Sequence, residues 1–144
     1  MPFLPFAFRI RAAALLIALL AITNAGHLCF AADTADKVYE LRTYTVVPGR
    51  MPALLKRFRD HTTKLFEKHG MQNVGYWNPE GKEGEAKLIY LLAHDSKEAA
   101  AKSWEGFRSD PDWAKARDAS EADGKIVEKV ESVYMKPTDF SKLK

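Results

Sequence analysis

The sequence predicts an α+β fold: a ferredoxin-like, four-stranded antiparallel sheet with two helices on one of its faces. Strand and helix patterns follow one another in the order strand, helix, strand, strand, helix, strand, which is the βαββαβ order of that fold. The third strand is apolar on both faces, as a central strand should be. The 112 residues beyond position 32 suffice for one such domain.

The stretch 38–50 opens with a strand pattern rich in β-branched and aromatic residues, which the turn signal Pro48-Gly49 ends. Alternation places Glu40, Arg42 and Tyr44 on one face of this strand, together with apolar residues. A charge pair with an apolar rim is typical of a strand that lines a polar pocket. It fits a surface strand with a solvated ion pair equally well.

The segment 51–69 predicts a helix, because apolar residues recur along it at spacings of three and four. His61 falls on this apolar face and is expected to point toward the sheet, as a general base or as a hydrogen-bonded core residue. His69 lies near the helix end, where it would interact with the last carbonyl groups. The two histidines are about 12 Å apart along the helix axis, too far to share a metal ion.

Two further strand patterns lie at 71–78 and 86–94, separated by a polar loop at 79–85. The second of these strands is apolar on both faces and should be central, in a sheet whose strands are ordered 4-1-3-2. His94 ends this strand and is expected to contact solvent.

A second helix is expected to begin at a capping box in which Asp95 is the acceptor and Glu98 follows three residues later. Trp104 belongs to the apolar stripe of this helix, which indicates either core packing or the wall of a ligand pocket. Asp110 and Pro111 predict the N-cap and first turn of a short additional helix. A last strand, up to residue 135, completes the pattern.

Residues 1–32 have the pattern of a secretory signal peptide, with a short basic region, an apolar run of eleven residues and small residues near the end. Cleavage is expected after Ala31 or Ala32, with Ala25 as an alternative. A retained membrane anchor is the rival interpretation, although the run is too short to span a bilayer comfortably. The predicted location is periplasmic or secreted, with no stable membrane span once the leader is removed.

The mature chain, a domain at 33–136 and a tail at 137–144, carries 20 basic and 19 acidic residues. The two signs are interleaved rather than gathered into a patch, so nucleic acid is not an expected partner. Cys29, the only cysteine, lies in the leader, so no disulfide, thiolate nucleophile or cysteine metal site is expected. The sequence has no HExxH motif, phosphate loop or nucleophile elbow, and neither a metal nor a cofactor is predicted.

Two helices cover only one face of the predicted sheet, yet the third strand is apolar on both. A second copy of the domain is the simplest cover, and a homodimer joined through its sheets is therefore predicted. Glu40 and Arg42 would then lie inside the shared barrel, where they must pair because an isolated buried charge is costly.

A pocket for a small-molecule ligand is predicted between the first helix and the sheet. It rests on a titratable group among aromatic side chains, a combination common in binding sites. His61 is the candidate catalytic residue. The candidate ligand-binding residues are Glu40, Arg42, Tyr44, His61, Trp77, Tyr90 and Trp104.

Several stretches, in matching order and spacing, resemble the NIPSNAP domain: YELRTY at 39–44, PG at 48–49, HG at 69–70, VGYW at 74–77, WEGFRSDPDW at 104–113, and Ser120. The resemblance spans about 38–135 and implies a dimeric α+β barrel in which two sheets pack face to face. It implies no settled activity. The best known relatives are mitochondrial, and this chain departs from them in its apparent secretory leader and its single domain.

The sequence thus supports the presence of a ligand-binding pocket better than it supports any particular enzymatic reaction. The favoured function is an exported, homodimeric small-molecule-binding or accessory protein. The alternative is a cofactor-independent oxygenase or isomerase, since similar dimeric barrels host such chemistry between helices and sheet, which is an argument from fold alone. A purely structural partner protein is a third possibility and would require an exposed apolar patch outside the dimer face.

Overall fold

A computed structural model of the chain describes residues 37–79 and 86–144. The predicted leader with Cys29, the start of the predicted domain and most of the polar loop lie outside these residues. No helix of the described ranges is both long and apolar enough to cross a membrane. In chain order the described elements are β1 (Val38–Val46), α1 (Met51–Arg57), a π-helical turn (Phe58–Thr62), α2 (Thr63–Lys68), β2 (Gln72–Trp77), β3 (Lys87–His94), α3 (Lys97–Ser109), α4 (Pro111–Ser120) and β4 (Val127–Met135).

The four strands form one antiparallel sheet in the order β2-β3-β1-β4. This confirms the predicted fold class and the central place of β3 and β1. The register pairs Arg42 with Tyr90 on β3 and with Ser132 on β4. Because directly paired residues project from the same face of a sheet, these three side chains are neighbours.

The core lies between the helices and the even-numbered side chains of β1 and β3. Tyr90 is fully buried, and its ring contacts those of Phe58 in the π turn and Phe66 in α2. Phe66 in turn packs against Trp104 and Phe107 of α3. The aromatic stripe of α3 is therefore part of the core.

The run 51–68 is one continuous helix that widens at its centre. The N–H of Thr63 donates to the carbonyl of Phe58, five residues earlier, which is the hydrogen bond of a π turn. Four of the buried side chains on this run, Leu54, Phe58, Thr62 and Phe66, are each four positions apart, and Arg57 and Leu65 are buried beside them. His61 is exposed. The prediction that His61 points toward the sheet is wrong, because it assumed an unbroken α-helical period.

The helix caps are set by single side chains. Ser96, not Asp95, is the N-cap of α3, and its hydroxyl accepts the N–H of Ala99 at 3.0 Å. The predicted capping box is therefore misplaced by one residue. Asp110 caps α4 with its carboxylate and Pro111 occupies the first turn, as predicted.

Replacing Ser96 with Ala should lower the free energy of unfolding by about 1 kcal/mol, because the N–H of Ala99 loses its acceptor. Asp95→Ala is the matched control. Its carboxylate is exposed and makes no hydrogen bond with the described residues, so a change below about 0.5 kcal/mol is expected. Urea denaturation of both variants makes the comparison, and equal losses would contradict the assignment of the cap.

The second face of the sheet, here called the open face, carries the odd-numbered side chains of β1. Leu41 is paired with Leu91 and with Val133, so apolar residues meet across three strands. The helices in the described part of the chain lie on the other face. Val133 is 55% exposed. β3 is thus apolar on both faces, but the described helices cover only one of them.

The C-terminal tail lies over one end of the open face. The hydroxyl of Tyr39 donates to the main-chain carbonyl of Lys144 at 3.0 Å. A cavity of about 260 Å³ lies between the tail and the sheet, lined in part by Leu91 and Met135. The segment that the sequence marks only as a polar extension is therefore attached to the sheet.

Candidate functional site

A buried ion pair lies on the helix-covered face of β1. Glu40 and Arg42 are two residues apart and therefore project from the same face, and Nη1 of Arg42 donates to Oε1 of Glu40 at 2.7 Å. The side chain of Glu40 is 1% exposed and that of Arg42 is 16% exposed. The prediction that this pair lies between two sheets is wrong, because Glu40 contacts Trp104 of α3.

Glu40 receives hydrogen bonds from four side chains. Its Oε1 accepts from Arg42 and from the hydroxyl of Ser132, the latter at 2.6 Å. Its Oε2 accepts from Nε1 of Trp104 at 2.6 Å and lies 3.1 Å from Nε2 of His94. Burial acts to raise the pKa of Glu40, but these hydrogen bonds outweigh it and lower the pKa to about 2. The carboxylate is therefore ionised at neutral pH and connects β1 to β3, β4 and α3.

His94 is completely buried, so the prediction that it contacts solvent is wrong. Because Glu40 is ionised, we assign the proton of the ring to Nε2, which then donates to the carboxylate. Nδ1 has no hydrogen-bond partner among the described residues. His94 thus acts as a positioning residue for Glu40, which no feature of its own strand reveals.

Arg42 lies between two aromatic rings and retains a spare donor. Its guanidinium carbon is 4.2 Å from the ring centroid of Trp104 and 5.8 Å from that of Tyr44, within the range of cation–π contacts. Both Nε of Arg42 and the hydroxyl of Tyr90 are buried and make no hydrogen bond of ordinary geometry with the residues the structure describes. Buried polar atoms without partners are rare. Two of them on directly paired residues mark this position as a candidate site for a ligand atom.

The protonation states around Arg42 follow from burial and from its neighbours. The pKa of Tyr90 is raised well above its usual value, mainly by burial and to a smaller extent by the phenol of Tyr44. Arg42 acts in the opposite direction. Burial acts to lower the pKa of Arg42, but Tyr90, Tyr44 and Glu40 raise it above its usual range. At neutral pH the site therefore presents a permanent positive charge beside a neutral phenol that can donate a hydrogen bond.

The structure separates two predicted site residues from this cluster. A bulge in β2 between Asn73 and Gly75 shifts the alternation, so that Trp77 pairs with Ile89 on the open face and is 52% exposed. His61 lies on the outer surface of the helices. The predicted pocket that contains both of them is wrong as a single site.

The other predicted site residues do come together: Glu40, Arg42, Tyr44, Tyr90 and Trp104. Their role in ligand binding stays a prediction. Within 37–79 and 86–144, no group of three or more metal-ligating side chains lies close enough to hold a metal ion.

Sequence reasoning missed three residues of the site: His94, Ser132 and Tyr134. The Tyr134 ring lies 6.3 Å from that of His94, and Nζ of Lys97 lies 5.8 Å from its centroid. Ser132 and Tyr134 are two residues apart and therefore share one face of β4, just as Glu40 and Arg42 share one face of β1. This spacing is the feature of the sequence that could have indicated their place in the site. Only the register between the two strands, which the sequence does not reveal, brings the two patterns together.

Comparison with known proteins relates the chain to the NIPSNAP family. The sequence model of the NIPSNAP family matches residues 39–142. A NIPSNAP family protein of unknown function from Agrobacterium tumefaciens is 28% identical, with a TM-score of 0.66, and the match covers 76% of this chain and 96% of that one. An uncharacterized NIPSNAP domain protein from Burkholderia xenovorans is 23% identical, and the match covers 72% of this chain and 97% of that one. Its TM-score of 0.61 shows a shared fold. No curated protein matches the chain.

Proposed function

The chain belongs to the NIPSNAP family, and from that premise we propose that it is an exported, homodimeric protein that binds a small molecule beside Arg42. Family membership confirms the resemblance seen in the sequence but brings no specific activity with it. Export rests on the leader pattern at 1–32, and an intact mass that retains this segment in the native host would contradict it. The proposed binding site rests on the side chains of β1 and β3.

One observation carries the proposal: two buried donors on directly paired residues make no hydrogen bond of ordinary geometry with the residues that the structure describes. Nε of Arg42 and the hydroxyl of Tyr90 belong to opposite residues of β1 and β3. A single electron-rich oxygen, from a carbonyl, a carboxylate or a phenolate, would accept from both. The proposed ligand therefore carries such an oxygen, and hydrogen bonds from a charged donor are among the stronger ones.

Glu40 supports this role by fixing the guanidinium. One edge of Arg42 is held by the carboxylate and one face lies against Trp104. The orientation of Nε is therefore set before a ligand arrives, which reduces the conformational entropy that binding would otherwise cost. An arginine whose only task was to neutralise Glu40 would not require this second contact.

Catalysis by a cofactor-independent oxygenase or isomerase is the second candidate. A positive charge and a neutral phenol directed at one oxygen would also stabilise the negative charge that develops on an enolate or phenolate. Glu40, however, is a poor general base, since its pKa of about 2 leaves it little affinity for a proton. Binding is therefore favoured over proton abstraction.

The test is Tyr90→Phe, which removes only the hydroxyl. Because this hydroxyl makes no hydrogen bond of ordinary geometry with the described residues, its removal should change the free energy of unfolding little. Binding should weaken about 5- to 20-fold, the equivalent of one lost hydrogen bond. Isothermal titration with salicylate and 4-hydroxybenzoate as probes measures the affinity, and thermal unfolding measures the stability.

Arg42→Lys provides a second arm of this test, because lysine keeps the charge but lacks Nε and the planar fork. It should weaken binding about tenfold or more. Arg59→Lys, on the exposed side of the π turn, is the matched control and should bind as the unaltered protein does. If all three variants bind the probes equally, the ligand does not lie beside Arg42.

The dimer is proposed to form through the open face. No helix among the described residues covers this face, and burying apolar area contributes about 25 cal/mol per Å². Association costs roughly 4–15 kcal/mol of lost freedom, so the contact must be of standard size or larger. A second copy of the same face offers a surface of matching composition. Residues with side chains on this face include Leu41, Trp77, Ile89, Leu91, Val133 and Met135.

A further inference from the structure

A second cavity lies on the outer side of the helices, between the run 51–68 and α4. Its volume is about 370 Å³, and an adjoining cavity of about 300 Å³ shares part of its lining and extends toward Ser120. Together they form a groove that is separate from Arg42. The groove residues used below are His61, Lys64, Leu65, Lys115, Ala116 and Ala119.

The shape of this groove follows from the two helices that form it. The π turn places His61 on the outer surface, next to α4. On α4, Ala119 lies about one helical turn beyond the consecutive residues Lys115 and Ala116, so all three line the same side of the helix. The two alanines are too small to fill the space against Leu65, which leaves the cavity between the helices.

The charges that line the cavity of about 370 Å³ do not cancel. Its two carboxylates, Asp60 and Asp112, are paired with Lys56 and Lys68, which do not line it. The adjoining cavity is lined by Lys56 itself and by a third carboxylate, Asp123. Asp60 has a lowered pKa, chiefly because Lys56 donates a hydrogen bond to it.

Lys64 and Lys115 differ from the carboxylates. They line the cavity from opposite walls and have neither an ion-pair partner nor a hydrogen-bond partner among the described residues. Two ammonium groups and an imidazole thus surround a wall of apolar side chains.

We propose that this groove binds a small organic anion with an apolar body. The carboxylate or phosphate of the ligand would lie between Lys64 and Lys115, within reach of His61. Its apolar body would lie against Leu65 and Ala116. Because the lysines are exposed, the attraction is screened by salt and the affinity is modest. This second site is independent of the function proposed for Arg42.

Benzoate, phenyl phosphate and benzyl alcohol are the probes, because they share one apolar body and differ in the charged group. Titrations followed by amide and histidine-ring NMR signals should show saturable shifts at His61, Leu65 and Ala116 for the two anions. The dissociation constant should rise severalfold between about 50 and 300 mM salt. Benzyl alcohol should bind at least about tenfold more weakly. The benzoate and phenyl phosphate arms decide which anionic group the site prefers.

Lys64→Gln and Lys115→Gln should each weaken binding of the anions about 3- to 10-fold, and the double variant should weaken it further. Lys102→Gln, an exposed lysine on α3, is the matched control and should bind unchanged. Tyr90→Phe should also leave these signals unchanged, which keeps this site distinct from the one beside Arg42. The inference is overturned by equal binding of benzyl alcohol, by an unaffected double variant, by shifts that map to Arg42, or by the lack of saturable binding.

Discussion

Replacing Glu40 with Gln should lower the free energy of unfolding by about 3–5 kcal/mol, the usual cost of removing one partner from a buried ion pair. Arg42 would be left with an uncompensated charge, and the indole N–H of Trp104 would face an amide instead of a carboxylate. Chemical denaturation measures the loss. The matched control is Glu131→Gln, whose ion pair with Lys129 is exposed and should contribute at most about 1 kcal/mol.

The pH dependence of stability offers a second measure of the same carboxylate. The pKa of Glu40 falls from 4.5 in the unfolded chain to about 2 in the folded one, so its contribution is complete above pH 4.5 and is lost as the pH falls toward 2. The Glu40→Gln variant has no carboxyl group at this position and therefore lacks this pH-dependent contribution to stability. Asp110, whose pKa is lowered by Lys68 and His69, contributes in the same direction to both proteins, so the difference between their curves isolates Glu40.

A double variant separates charge loss from packing. When Glu40 and Arg42 are both replaced by Leu, no unpaired charge remains, and the protein should be more stable than the Gln single variant. A single variant as stable as the unaltered protein would show that the ion pair does not hold the sheet and α3 together.

Replacing Val133 with Asp should convert the proposed dimer into a folded monomer. The side chain is 55% exposed in the single chain, so a carboxylate is tolerated there, but between two open faces it would be buried without a partner. Sedimentation equilibrium at micromolar concentration should show the mass fall by half. The melting temperature should then depend less on protein concentration, because folding is no longer linked to association.

Val130→Asp is the matched control for this experiment. Val130 is the same residue type on the same strand and is 45% exposed. It is paired with Tyr44 and so lies on the other face of the sheet. This variant should remain dimeric. Equal dissociation of both variants, or a monomeric mass for the unaltered protein, would mean that the open face is not the interface.

The sequence revealed those parts of the fold that depend on short-range patterns. The two apolar faces of β3 located it in the centre of the sheet, and the alternation of β1 placed Glu40 next to Arg42 before any register was known. Asp110 and Pro111 marked the start of α4 because capping chemistry involves only neighbouring residues.

The failures arise where one inserted residue or one long-range pairing decides the outcome. The π turn rotated His61 outward, and the bulge in β2 moved Trp77 to the other face, since a shift of one residue reverses the alternation of a strand. His94 was expected in solvent, because only the register with β1 reveals that it ends beside Glu40. The candidate site was therefore half predictable: its β1 residues and the aromatic residues Tyr90 and Trp104 were found, but His94 and Ser132, which also hold Glu40, were not.

The hydrogen bonds of Glu40 also bear on the order in which the chain folds. His94, Trp104 and Ser132 are 54, 64 and 92 residues away from it in sequence. Contacts of such separation form late, because the chain must lose loop entropy before they contribute. Until β4 joins the sheet, the carboxylate lacks the hydroxyl of Ser132. A chain still in synthesis would therefore complete this set of hydrogen bonds only after β4 has been made.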